Sequence, residues 1–204
     1  MKKNTLIFDL GGVVLNNDWH DGNEKRYQLY SDYFGITYKQ MEDGWSAAWP
    51  QFQLGKISED EFWLIFLTEA GSNKIDTQTA KQFWRKFVVE NESMLTLLSR
   101  LKQNYRLAAL TTISREWLDY KIQKYNFDSI FTEIVSSGYS GLAKPDVAIY
   151  ELLLDKLKVN ARECVFIDDS PGTLPPASRL GMTAIPFINQ NRLEKEFKGL
   201  GIKF

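Results

Sequence analysis

Cysteine and histidine are almost absent from this chain of 204 residues, which has one of each, Cys164 and His20. A lone cysteine cannot close an internal disulfide, so a reducing cytoplasm is the expected setting. No excess of charge exists either. Lysine and arginine number 25 against 26 aspartate and glutamate, for a formal net charge of -1. Without a basic stripe or a charged tail, nucleic acid and anionic membrane are not expected as partners. No segment reaches the roughly 18 consecutive apolar residues of a membrane span. The basic start "MKKNTLIFDL" is interrupted by Asp9 too early to read as a signal peptide. Internal repeats and low-complexity tracts are missing as well. What the chain does have is 44% hydrophobic and 14% aromatic residues. That suffices for one large domain or a domain carrying an insertion, and a monomer is the simplest assembly, with a dimer left open.

Five short apolar runs stand out: "TLIFDL", "YRLAALTT", "IFTEIVSS", "ECVFIDD" and "MTAIPF". Continuous apolar runs are what strands covered on both faces of a parallel sheet require. Between them lie segments of helical period. In "SMLTLLSRLKQ" the residues Met94, Leu97, Leu98 and Leu101 share one helical face, and "SREWLDYKIQKY" and "DVAIYELLLDKLK" repeat the pattern. Strand and helix alternate from residue 93 onward, which predicts a doubly wound parallel α/β sheet.

Residues 18–88 break that alternation. They are rich in aromatics and helix formers and contain no clear strand. In "SEDEFWLIFLTEAG", Ser58 and Glu61 have the spacing of a capping box and Gly71 marks the end. "DTQTAKQFWRKFVVE" reads as a further helix. The expected organisation is therefore an α/β core of residues 1–17 and 89–204, with an inserted α-helical cap of 18–88 over the ligand crevice. Trp45 and Trp49, four apart on a helix, are expected to serve the cap's own core.

Polar residues gather at the carboxyl ends of the runs. Asp9 ends the first and is followed by Gly11 and Gly12. Thr111 and Thr112 end the second. Lys144 precedes a proline and a helix start after the third. Asp168 and Asp169 end the fourth, with Ser170 and Pro171 placed as N-cap and first helical residue. That edge is where open α/β sheets bind ligands. Three converging carboxylates repel one another unless a cation joins them, and an all-oxygen donor set suits magnesium better than zinc. A lysine and a metal around one carboxylate make an anion site, with phosphate the anion most often handled this way. Each residue also has an ordinary reading. Thr112 fits a plain β-branched strand residue equally well, Asp168 fits a structural neighbour of the N-cap, and Cys164 reads as an inert buried hydrophobe.

Taken in order, "IFDLGGVV", "LAALTT", Lys144 in "GLAKPD" and "VFIDD" resemble the four motifs of the haloacid dehalogenase superfamily of phosphohydrolases. The position of the insertion is that of its helical-cap subfamily. "GKISEDEFW" is similar to a cap segment of the branch that includes sugar-phosphate phosphatases, such as those acting on alpha-D-glucose-1-phosphate. The resemblance implies a Rossmann-like core and magnesium-dependent hydrolysis of a small phosphorylated metabolite. It makes Asp9 the nucleophile of an aspartyl-phosphate intermediate. Thr111, helped by the backbone near Thr112, would bind the transferring phosphoryl group. Lys144 would hold Asp9 ionised and neutralise charge. Asp9, Asp169 and the Gly11 carbonyl would ligate magnesium, with Asp168 bound directly or through water.

Two departures matter. Most phosphatases of the superfamily carry a second aspartate where this chain has Gly11, and that side chain is the general acid–base, worth about 10²–10⁴-fold. Asp18 and His20 are the nearest replacements in sequence. Thr173 stands where aspartate or asparagine usually supports the lysine or the metal shell. Two rivals follow from the Gly11 change: a 2-haloacid dehalogenase, which needs no such acid, and a non-catalytic binding protein that keeps the fold. Dehalogenases need no metal, and the retained pair Asp168 and Asp169 favours the phosphatase.

Overall fold

The first apolar run lies at the centre of the molecule. In a computed structural model that describes residues 3–16, 24–86 and 89–204, β1 (Thr5–Phe8) is buried along its whole length. It is followed by four helices, α1 (Glu24–Phe34), α2 (Tyr38–Phe52), α3 (Glu59–Glu69) and α4 (Thr77–Lys86). Next come α5 (Glu92–Leu101), β2 (Arg106–Thr111), α6 (Arg115–Tyr125), β3 (Glu133–Ser136) and the one-turn α7 (Ser137–Ser140). The chain closes with α8 (Val147–Leu157), β4 (Cys164–Asp168), α9 (Leu174–Leu180), β5 (Thr183–Pro186) and α10 (Gln190–Gly199).

All five strands pair in parallel, in the order β3-β2-β1-β4-β5. The chain builds outward from β1 through β2 to β3, then returns to the other side of β1 for β4. The winding direction therefore reverses between β1 and β4, and such a switch point opens a crevice at the strands' carboxyl ends. One residue beyond the Phe8–Ile167 pair, Asp9 and Asp168 emerge side by side at that crevice.

Alternation along the strands divides the core. Leu6 and Phe8 face α5, α6 and α10 through Leu97, Leu118 and Phe197. Ile7 faces α8 and α9 through Ile149, Leu153 and Ala177. With both faces covered, Leu6, Ile7 and Phe8 are apolar in succession, which is why the run shows no period of two. Cys164 is fully buried on the α8 side, as its apolar strand suggested.

The four helices of Glu24–Lys86 lie between β1 and α5 in the chain, where the helical insertion was expected. Asn16 donates to the Val89 carbonyl at 3.1 Å, so the outgoing and returning strands of the connection lie together. Ser58 and Glu61 form the expected capping box, and Gly71, at φ +66°, follows α3. A second box, Thr37 with Gln40, opens α2. The interior of these helices is aromatic: Tyr30, Phe34, Phe52, Phe62, Trp63 and Phe66 are each almost completely buried. Ring pairs of this kind add about 0.5–1.5 kcal/mol each beyond their buried area. Gly44 is required where α2 meets α3, since a Cβ there would lie 2.6 Å from the Phe66 carbonyl oxygen. No helix among the described residues is long and apolar enough to cross a membrane.

Candidate active site

Asp9, Asp168 and Asp169 each offer a carboxylate oxygen within 4.8 Å of the others. Their convergence follows from the register, because β1 and β4 are neighbours and end at the same level. The Lys144 ammonium lies between two of them, 3.0 Å from Asp9 Oδ1 and 2.6 Å from Asp168 Oδ2. It reaches this position from the loop between α7 and α8, just before Pro145. The carboxylates are also gripped by backbone: Leu10 N–H donates to Asp9 Oδ1 at 2.8 Å, and Ser170 N–H donates to Asp168 Oδ1 at 2.8 Å. Asp168 is fully buried with both oxygens engaged.

The electrostatics are those of a site short of positive charge. Burial raises the Asp9 pKa, Lys144 counters it, and Asp168 raises it again. Burial alone would lower Lys144, but the two carboxylates outweigh that and hold it above the usual lysine value. Asp169 is pushed up to about 6, chiefly by burial and then by the charges of Asp9 and Asp168. One ammonium shared by two of three carboxylates leaves a deficit that a divalent cation with hard oxygen ligands would fill. The donor set present fits magnesium.

Gly12 makes the approach possible. It adopts φ +77°, and a Cβ on it would sit 2.0 Å from Asp169 Oδ2. The second glycine thus provides both a left-handed turn and the space for Asp169 to lie against the loop after Asp9. Gly11 and both threonines line the same cleft. Thr111 ends β2 and is buried, while Thr112 has a buried hydroxyl with no hydrogen-bond partner among the described residues. Such an orphaned group is usually matched by a ligand, an ion or a water.

Three expectations are modified. Ser170 and Pro171 open a single 3₁₀ turn, Pro171–Thr173, and the Ser170 side chain makes no cap; its backbone N–H supports Asp168 instead. Thr173 makes no hydrogen bond to Lys144 among the described residues. Its hydroxyl donates to the Ser170 carbonyl at 2.8 Å, and its own carbonyl accepts from Tyr150 at 2.7 Å. Trp45 and Trp49 are only half-buried, and besides packing in the helical layer they line the cleft. Asp18 and His20 lie outside the described residues.

The cleft has a volume of about 1130 Å³ between the sheet edge and the helices above it, and Trp84 and Trp117 also line it. Sequence reading overlooked one residue that organises this wall. Glu59, 3% exposed at the start of α3, accepts from Trp117 Nε1 at 2.9 Å and from Arg85 at 2.7 Å. Its place among three acidic residues in the first turn of a capped helix reads as a solvated helix-dipole charge. Only the meeting of α3, α4 and α6 reveals its burial.

Comparison with known proteins agrees with the geometry. A family model described as haloacid dehalogenase-like hydrolase matches residues 3–181. Flavin mononucleotide hydrolase 1 of Arabidopsis thaliana, a chloroplast protein, is 26% identical over 199 residues, covering 97% of this chain and 77% of its own length. Drimenol cyclase drtB of Aspergillus calidoustus is 26% identical over 205 residues, covering 96% of this chain; the match spans only 36% of that relative's length. Among solved structures, the HAD family enzyme bt-2542 of Bacteroides thetaiotaomicron, in complex with magnesium and inorganic phosphate, superposes with a TM-score of 0.76. It is 21% identical, with 94% of this chain and 98% of that chain covered.

Proposed function

The chain belongs to the haloacid dehalogenase-like hydrolases, and on that premise we propose that it is a magnesium-dependent phosphomonoesterase acting on a small phosphorylated metabolite through an aspartyl-phosphate. The observation that carries this reading is Lys144 bridging Asp9 and Asp168 with Asp169 alongside, at the β1/β4 switch point. A magnesium-phosphate complex of a neighbour with the same fold is consistent with it.

Asp9, Asp169 and the Gly11 carbonyl would hold the metal, with Asp168 bound directly or through water. Magnesium would keep Asp9 ionised and offset charge on the phosphoryl oxygens. Asp9 attacks phosphorus; a carboxylate O–P bond forms as the bond to the leaving oxygen breaks, and that oxygen departs with the electron pair. Water then attacks the same phosphorus, releasing inorganic phosphate and restoring Asp9. Lys144 stays bonded to Asp9 through both steps, and the Thr111 hydroxyl donates to a phosphoryl oxygen. Asp168, tied to the Ser170 N–H, aims Lys144. Attack on carbon, as in dehalogenation, would still use Asp9 and the Lys144 that Asp168 aims, but would leave Asp169 without a cation to bind. A reducing cytoplasm fits the single buried cysteine.

The test is hydrolysis of p-nitrophenyl phosphate by the native protein and by Asp9→Asn, with and without magnesium. Turnover is expected only for the native protein with metal, while circular dichroism shows both folded. Comparable turnover by Asp9→Asn would overturn the assignment of the nucleophile.

A further inference from the structure

Four of the chain's six tryptophans line one cleft, the same cleft that holds Asp9 and Lys144. Trp45 and Trp49 come from α2, Trp84 from α4 and Trp117 from α6. Their rings form one continuous surface. Trp45 and Trp49 stack at 5.1 Å between centroids, Trp84 and Trp117 stack at 4.8 Å, and Trp49 joins the two pairs at 5.7 Å from Trp117. The Trp117 N–H is satisfied by Glu59, so this indole offers the cleft no donor. The charged residues that α2 adds to the cleft, Lys39, Glu42 and Asp43, are solvent-exposed, and Lys39 and Asp43 are paired with each other. The helices above the sheet edge thus give the cleft four indoles, the exposed charges of α2 and one half-buried ammonium, Lys121 of α6. A sugar needs buried donors and acceptors aimed at its hydroxyls, whereas a flat apolar ring needs a stacking surface.

We propose that this cleft selects phosphate monoesters carrying a flat aromatic body, which stacks on the Trp45–Trp49 and Trp84–Trp117 wall while the phosphate sits at Asp9 and Lys144. The proposal rests on the phosphomonoesterase reading for its chemistry and replaces the sugar phosphate that the sequence resemblance implies. Here α2 and α4 choose the substrate and the sheet edge does the reaction. Trp45 and Trp49, half-buried and on the accessible side of the wall, are the residues that set the preference.

The experiment compares kcat/KM for 2-naphthylmethyl, benzyl, cyclohexylmethyl and ethyl phosphate with that for glucose 6-phosphate. The first four all expel a primary alcohol, so leaving-group chemistry varies little and the body attached to it is what changes. The expected order is naphthylmethyl above benzyl above cyclohexylmethyl above ethyl, with glucose 6-phosphate no better than ethyl. In Trp45→Leu the ratio of naphthylmethyl to ethyl turnover falls about tenfold, the effect of losing one stacking contact of about 1.4 kcal/mol, and Trp45→Phe restores most of it. Should Trp45→Leu fail to fold, Trp49→Leu gives the same reading. Binding is followed separately by tryptophan fluorescence in Asp9→Asn, where naphthylmethyl phosphate is expected to bind at least about tenfold tighter than glucose 6-phosphate. That readout separates the two claims: tight aromatic binding without turnover in the native protein would overturn the phosphomonoesterase reading alone. A preference for glucose 6-phosphate, for cyclohexylmethyl over benzyl, or a ratio unmoved by loss of the ring would overturn the aromatic one.

Discussion

The sheet edge and the helical layer above it are built on opposite principles. At the sheet edge a few charged groups are fixed by backbone: Asp9 by Leu10 N–H, Asp168 by Ser170 N–H, and Lys144 by both carboxylates. Little can shift there without leaving a buried charge unpaired. The helical layer is held by aromatic packing around one buried carboxylate, Glu59, and such packing tolerates exchange of one apolar shape for another. The difference separates chemistry from choice. Substitutions in the floor should destroy turnover for every substrate, and substitutions in the wall should redistribute turnover among substrates.

The harshest way to break that contrast is Lys144→Met, which keeps the stem and removes the charge. It leaves Asp9 and Asp168 buried without their cation, and about 10³-fold or more of turnover should go for all esters alike. Steady-state kinetics on an aryl and an alkyl phosphate check this; selective loss for one ester class would place Lys144 in recognition rather than chemistry.

Next in size is the effect of the missing acid. With glycine at position 11, the rate should depend steeply on leaving-group pKa, and Gly11→Asp should raise alkyl-phosphate turnover, by up to about 10²-fold if protonation limits the rate. Asp18→Asn and His20→Gln should change little. A flat dependence, together with a large loss in one of those two variants, would put the acid in the connection after β1.

Glu59→Gln probes the other region. It removes the charge facing Arg85 while keeping the side chain's shape, and should lower stability by about 2 kcal/mol, since Arg85 is partly solvated and its loss is less than for a fully buried pair. Chemical denaturation reads this directly. Floor chemistry should be nearly untouched, so kcat for ethyl phosphate stays within about twofold of native.

The smallest effect belongs to Asp169, whose pKa is raised from 3.8 to about 6 in the metal-free protein. The folded state then holds a proton that the unfolded state releases, so this group's stabilisation is complete below about pH 4 and is lost as pH rises through about 6. Magnesium must displace the same proton, and its affinity should fall as pH drops below about 6. Thermal melts of native protein and Asp169→Asn at several pH values, without metal, isolate the contribution. A difference that does not change between pH 4 and 7 would remove the burial argument for this carboxylate.

The two regions also differed in what could be read from sequence. The sheet edge was legible because strands buried on both faces must be apolar, so each polar residue at their ends stood out against its neighbours. The gathering of Asp9, Lys144, Asp168 and Asp169 followed from that. The helical layer was legible only as helices. Trp45 and Trp49 looked like interior packing, and nothing in a local window distinguishes an indole that packs from one that packs and lines a cleft. Glu59 was hidden for a related reason, since its partners Arg85 and Trp117 lie 26 and 58 residues away. Thr173 was legible only as a departure from the usual residue; that a 3₁₀ turn directs its hydroxyl back to Ser170 could not be read from the sequence.

Whether phosphate passes through Asp9 at all can be measured without trapping anything. The stereochemical course at phosphorus, followed with an isotopically chiral phosphate ester in the presence of an acceptor alcohol, counts the displacements. Transfer by way of an aspartyl-phosphate inverts phosphorus twice and gives net retention. Net retention is the predicted result; net inversion would mean direct attack by the acceptor and would contradict the role assigned to Asp9.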